Sequence, residues 1–347
     1  MADKQTVDHE RILQDAVQRH ASDVFFIPGE PVSMRVDGSI QRIGASALQA
    51  AQVRAVAEAT IGESDLEELG REAGEVTRTC RLPGGVGAQF TVARCRGEYT
   101  VVARLLPQVV PTLEQIGVPQ ALVQAAESLR GLVVIAGPTG SGKSTVANSI
   151  LNHLSMTRPV HICTVEDPLA LCFTPKTALV QQREVGVDVP DGAAGVRAAV
   201  RQDADVVFID TLRWPDELQE ALEAAMTGRL VVTVAHAASP AEVIQGLVDI
   251  ERPERETAVR RMLARALTAV SVQCLLPKAD GPGRVAAYGV LRRSDEVCRA
   301  IVAREALPYR MEDASSCPSC LADSIRRLQE GGVVTAEVAD AALKQLQ

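Results

Sequence analysis

Aromatic side chains are nearly missing from this sequence, with one Trp, three Tyr and five Phe among 347 residues. A core must therefore be filled by Leu, Val, Ile and Ala, which the 46% hydrophobic content supplies. The same shortage argues against a single-stranded nucleic-acid surface, where bases stack on exposed rings. Positive charge is also in the minority: 36 Lys and Arg face 44 Asp and Glu, for a net charge of −8. That balance disfavours non-specific attachment to a phosphate backbone, and no nucleic-acid partner is expected. No apolar run approaches the length of a membrane span. The start, MADKQTVDHE, lacks the apolar segment of a signal peptide. The chain is thus expected in the cytoplasm, with any membrane attachment made through a partner. Of the eight cysteines, only Cys317 and Cys320 have ligand spacing. One such pair is half a zinc site, and a plain pair of thiols is the competing reading. There is no internal repeat and no low-complexity segment.

What is present changes character along the chain. Residues His9–His20 read as an amphipathic helix, with Ile12, Leu13, Ala16 and Val17 on one face. Short strands follow at Val24–Ile27 and Pro31–Val36, and Asp37-Gly38 signals a hairpin turn. Ser46–Ile61, with Ser46 as N-cap, and Ser64–Leu69 read as helices. Gly74–Cys80, Ala88–Cys95 and Tyr99–Leu105 alternate as antiparallel strands do. This order predicts a small α+β domain over residues 1–106. The stretch 107–119, with three prolines and a glycine, reads as a linker. From Gln120, apolar runs of strand length alternate with helical stretches. That alternation predicts an α/β domain with a largely parallel sheet over 120–312. A helix is expected at Glu254–Val270, then a closing pair of strands at Ser271–Leu276 and Arg284–Leu291. C-terminal helices divided by Gly331-Gly332 are expected in 313–347.

The most informative stretch is GLVVIAGPTGSGKSTVANSILNHL, residues 131–154. Gly137, Pro138, Thr139, Gly140, Ser141, Gly142, Lys143 and Ser144 fit G-x-x-x-x-G-K-[ST] at every fixed position. An apolar run, Leu132–Ala136, precedes the motif, and a helical pattern with Val146, Ile150 and Leu154 follows it. Strand, glycine-rich turn and helix form the context in which this motif binds phosphate. Glycines allow consecutive N–H groups to face one concavity, and a helix N-terminus adds partial positive charge. Lys143 is expected to reach the β- and γ-phosphates of ATP, and the Ser144 hydroxyl to hold Mg²⁺. Thr145 continues the phosphate-facing turn. Asp210, following the apolar strand Val206–Ile209, stands where such proteins place a Mg²⁺-holding aspartate.

Further segments narrow the class: Thr164-Val165-Glu166-Asp167-Pro168, Gln182-Arg183-Glu184-Val185-Gly186, Arg201-Gln202-Asp203-Ala204-Asp205, and Met226-Thr227-Gly228-Arg229-Leu230 running to His236. Ala21-Ser22-Asp23 and Arg35-Val36-Asp37-Gly38 belong to the same pattern. Together they resemble the twitching-motility (retraction) ATPases of type IV pili, of PilT/PilU type, within the wider secretion-ATPase family. The resemblance covers nearly the whole chain. It implies a PAS-like N-terminal domain, a RecA-like ATPase domain with ATP between the two, and a homohexameric ring. It further implies action on an inner-membrane pilus platform protein, so that the chain is cytoplasmic and peripheral to that membrane. His236 becomes a candidate γ-phosphate sensor, against the reading of a hydrogen-bonded structural histidine. Arg96 and Arg104 become candidate phosphate partners, against the reading of solvated strand residues.

The departures matter as much as the matches. Leu169-Ala170 replaces the family's Ile-Glu, and Asp210-Thr211 replaces Gly-Glu. Arg229 stands for the first of two histidines, and Gln89-Phe90-Thr91-Val92 lacks two arginines. A threonine hydroxyl cannot accept a proton near neutral pH, and losing a general base costs on the order of 10²–10⁴ in rate. Glu166 and Asp167 could orient the attacking water in its place, or simply cap the turn after their strand. Two readings result: an ATP-driven pilus motor, or a nucleotide-binding, catalytically impaired partner of another pilus ATPase.

Overall fold

The computed structural model describes residues 7–71, 74–83, 85–107, 109–307 and 320–346. The chain divides into two compact units, Met1–Val109 with Pro168–Cys172, and Val110–Asp167 with Phe173–Gln347.

The first unit runs α1 (His9–Gln18), β1 (Asp23–Phe26), β2 (Ser33–Val36), β3 (Ser39–Arg42), α2 (Ala50–Ile61), α3 (Glu63–Arg71), β4 (Glu75–Arg81), β5 (Gly87–Cys95) and β6 (Glu98–Leu105). Its strands form one antiparallel sheet in the order β3-β2-β1-β6-β5-β4. Alternation along β5 places Ala88, Phe90 and Val92 inside, where they join Leu13, Val53 and Leu66 from the helices in one core. This is the α+β arrangement expected of the region. Ser46 does not cap α2; the helix starts four residues later, behind Gln49, because Leu48 first bridges to Pro28 beside β1.

The second unit runs α4 (Gln120–Glu127), β7 (Gly131–Ala136), α5 (Lys143–Thr157), β8 (His161–Glu166), β9 (Leu179–Glu184), α6 (Gly192–Arg201), β10 (Val206–Thr211), α7 (Pro215–Met226), β11 (Leu230–Ala235), α8 (Pro240–Asp249), α9 (Glu256–Ala266), β12 (Leu267–Pro277), β13 (Arg284–Arg292), α10 (Asp295–Ala303), α11 (Leu321–Glu330) and α12 (Ala336–Lys344). The sheet order is β13-β12-β7-β11-β10-β8-β9, parallel throughout except for the edge strand β13. β7 is buried at all six residues between two parallel neighbours, which explains its continuous apolar run. Leu132, Val134, Val207, Val231 and Val270 share one core with Leu222, Leu263 and Ile325 from the helices. Burying each such side chain contributes roughly 1.5–3 kcal/mol.

The helix expected at Glu254–Val270 is shorter. It ends at Ala266, and Leu267, Ala269 and Val270 pair with Leu132, Val133 and Val134 of β7 as the start of β12, with a one-residue slip at Thr268. Their β-branched and apolar side chains are buried on the sheet, and that pairing overrides the helical reading. α11 and α12 pack against β13 and β12. Cys317 lies outside the described residues. Cys320 is buried, and its Sγ accepts from Asp323 N–H at 3.3 Å as the cap of α11. No cluster of three or more His, Cys, Asp or Glu side chains placed to hold a metal ion occurs among the described residues. Nor is any of their helices long and apolar enough to cross a membrane.

Candidate functional site

The loop between β7 and α5 is shaped by contacts from β12. A Cβ on Gly137 would lie 2.4 Å from the Gln273 carbonyl oxygen and 2.5 Å from Ser141 Oγ, so no side chain fits there. Gly140 and Gly142 adopt φ of +77° and +86°, a left-handed backbone that glycine takes without steric cost. These turns bring the chain onto α5 with Lys143 as its first residue. Among the described residues, the N–H groups of Gly140, Gly142, Lys143, Ser144 and Thr145 find no main-chain acceptor. Unpaired donors at the start of a helix, facing a glycine-lined turn, make a cradle for an anion.

Lys143 is buried, and its Nζ donates to the Pro138 carbonyl at 2.9 Å, across the mouth of the loop. Burial lowers its pKa, and the negative charge of Asp210 works in the opposite direction. Ser144 and Thr145 are exposed on the first turn of α5, free to meet a ligand. Ser141 Oγ is buried and has no hydrogen-bond partner among the described residues.

Asp210 lies near the end of β10, where pairing with β11 slips: Ile209 faces Thr233, but Thr211 faces Val234. The Thr233 hydroxyl donates to the Asp210 carbonyl at 3.0 Å and holds this irregularity in place. Such a bulge re-aims side chains at a strand end. Burial raises the Asp210 pKa; Arg213, His236 and Lys143 pull it down, and Asp167 pushes it up. Glu166 is buried at the end of β8, and the exposed Asp167 next to it lies 3.6 Å from the Arg213 guanidinium. Glu166, Asp167, Asp210, Thr211 and Arg213 line one cavity of about 210 Å³. Exposed His236 follows β11. The structure thus gathers Lys143, Asp210, Glu166 and Asp167 at one end of the parallel sheet, with His236 close enough to act on Asp210.

On the other flank of the loop a larger cavity, about 730 Å³, is lined by Ser141, Gly142 and Thr145 together with Gln273, Leu275 and Tyr288. The Tyr288 hydroxyl donates to the Ile116 carbonyl at 2.9 Å, and burial pushes its pKa up.

Arg96 and Arg104 belong to the other unit. Arg96 sits at the β5–β6 turn with φ +54°, and Arg104 Nε lies 3.1 Å from the carboxylate of buried Asp23. Arg104 therefore has a structural task, because a buried carboxylate needs a cation. Ala170 falls within Pro168–Cys172, which also belongs to the first unit. Arg213, Gln273 and Tyr288 were not singled out from the sequence. No motif marks them: the strand order brings Gln273 and Tyr288 to the loop, and Arg213 meets Asp167 and Asp210 just beyond β10.

A buried parallel strand, a glycine turn and a helix opening on a buried lysine, set in a sheet of this order, define a P-loop nucleotide-binding protein with a RecA-like core. The model of the family described as "Type II/IV secretion system protein" matches residues 3–345, and the chain belongs to that family. It is 33% identical over 285 residues to the type IV pilus retraction ATPase PilT of Pseudomonas aeruginosa, covering 82% of each chain. A crystal structure of the pilus retraction motor PilT with bound ADP matches at a TM-score of 0.85 and 29% identity, covering 98% of this chain and 97% of that one. The ATPase DotB of Legionella pneumophila shares the fold, with a TM-score of 0.86 at 23% identity over 100% of this chain and 99% of that one.

Proposed function

We infer that this chain is an ATP-binding motor subunit of a type IV pilus machine, coupling nucleotide binding and hydrolysis to pilus retraction. The observation that carries the reading is the intact phosphate cradle around Lys143, on a chain alike over most of its length to a pilus retraction ATPase. The likeness to a motor that holds ADP supports an adenine nucleotide as ligand. Its triphosphate would lie against the N–H groups of Gly140 and of residues 142–145, with its nucleoside in the cavity beside Thr145 and Tyr288. Lys143 would leave the Pro138 carbonyl for the β- and γ-phosphates. The donor set fits Mg²⁺: an exposed hydroxyl on Ser144 and a half-buried carboxylate on Asp210. When bound, Mg²⁺ would neutralise charge between the phosphates.

Thr211 cannot take a proton from water, so the carboxylates around it carry that task. Asp210, Glu166 and Asp167 border the same cavity. Their position supports water orientation and proton acceptance by this group, and His236 would sense the γ-phosphate. Arg96 and Arg104 remain candidates to approach the phosphates, Arg104 only by leaving Asp23. Ring assembly, contact with an inner-membrane platform protein and a cytoplasmic location belong to the same proposal. The relatives' names favour this motor over an impaired partner.

Titration calorimetry with Mg-ATP and steady-state phosphate release test it. Wild type is expected to bind and turn over, and Lys143→Ala to lose both by at least about 100-fold. No affinity for any adenine nucleotide, or a rate indifferent to Lys143→Ala, overturns it.

A further inference from the structure

Gln273 is an amide buried in a strand of apolar and small residues, with 1% of its surface exposed. Placing an amide there costs free energy unless it makes hydrogen bonds. It makes one: Nε2 donates to the Ser141 carbonyl at 2.7 Å, both atoms buried, across 132 residues of sequence. Among the described residues its Oε1 has no hydrogen-bond partner. A half-satisfied buried amide is a poor way to stabilise a core, which a leucine or methionine would fill better.

The single bond falls at a decisive place. The Ser141–Gly142 peptide is planar and trans, so its C=O and N–H point in opposite directions. Anchoring the carbonyl on β12 turns the Gly142 N–H away from the sheet, toward the side where the N–H groups of Lys143 and Ser144 are also unpaired. The main chain of the same residue closes on the other end of the loop, since the Gln273 carbonyl leaves no room for a Cβ on Gly137.

We propose that Gln273 is a positioning residue of the phosphate cradle, fixing the Ser141–Gly142 peptide so that the Gly142 N–H meets a nucleotide phosphate. This rests on the reading that the loop binds a nucleotide.

The experiment is calorimetric titration of the full chain with ADP, for wild type, Gln273→Met and Gln273→Glu. Gln273→Met keeps the shape and removes the donor; its affinity falls about tenfold, the equivalent of one buried hydrogen bond. Gln273→Glu also lacks a donor when ionised. Its buried carboxyl takes up a proton readily and then donates as the amide did. Its affinity relative to wild type therefore recovers as pH falls from about 8.5 to about 6, while that of Gln273→Met does not. A role confined to packing would give no such pH-dependent rescue. Gln273→Met within twofold of wild type, or Gln273→Glu without recovery, overturns the proposal while nucleotide binding stands. Wild type with no ADP affinity overturns both. If Gln273→Met does not fold, the Gln273→Glu pH series decides alone.

Discussion

Asp210 stands one residue before the threonine that occupies the expected glutamate position, at the point where β10 slips against β11. Burial raises its pKa, so its carboxylate is the costlier form in the folded protein. The sign follows by linkage. Any stability from a raised pKa is present in full below the ordinary aspartate value, and is lost as pH rises through the folded one. A neutral Asp210 cannot accept a proton or hold a cation, so if it serves the reaction as proposed, activity should have an acid limit set by this group. Arg213 is the first of the charges that pull the Asp210 pKa down. Removing that charge in Arg213→Ala should therefore move the acid limb of the phosphate-release profile to higher pH. Asp210→Asn should abolish the limb together with most of the rate. An acid limb unchanged in Arg213→Ala would show that another group sets it.

At the level of elements, α6 lies against β8, behind the carboxylates. A Cβ on Gly195 would come within 2.6 Å of Val165 Cγ1, one residue before Glu166. Gly195→Ala therefore has to push helix and strand apart, and overpacking of this kind costs roughly 1–3 kcal/mol. Urea unfolding should show that loss, and turnover should fall further as Glu166 shifts; unchanged stability would mean that α6 yields without cost. The elements also show what was legible in advance. β7, α5 and the strand–helix alternation were, because buried parallel strands and capped helices write periodicity into short windows. Where α9 ends was not, since Leu267–Val270 suit a helix equally well and only pairing with β7 decides. α10 was missed, although Ser294 caps it through Val297 N–H. Within the site, the loop was readable from glycine spacing alone. Gln273 and Arg213 were not, as their roles depend on neighbours 132 residues distant in one case and on a strand irregularity in the other.

On the scale of the whole chain, the core around Phe26 and Phe90 and the core around Val134 and Leu222 have no residue in common. Each has its own sheet. Units built this way can unfold as separate cooperative blocks, so scanning calorimetry of the unliganded protein should show two transitions. A ligand stabilises only what binds it, by RT ln(1 + [L]/Kd), about 2.7 kcal/mol at a hundredfold excess over Kd. For a unit of this size that corresponds to an upward shift of roughly 5–10 °C. Saturating Mg-ADP should raise the transition of the unit that carries Lys143 by that amount. The other transition measures something else. It should stay in place if Arg104 keeps to Asp23, and rise if Arg96 and Arg104 leave their positions for the phosphates. Arg96→Ala combined with Arg104→Ala then separates the cases, because it can lower the ligand-induced shift only in the second. A single transition at every ligand concentration would refute the two-block description.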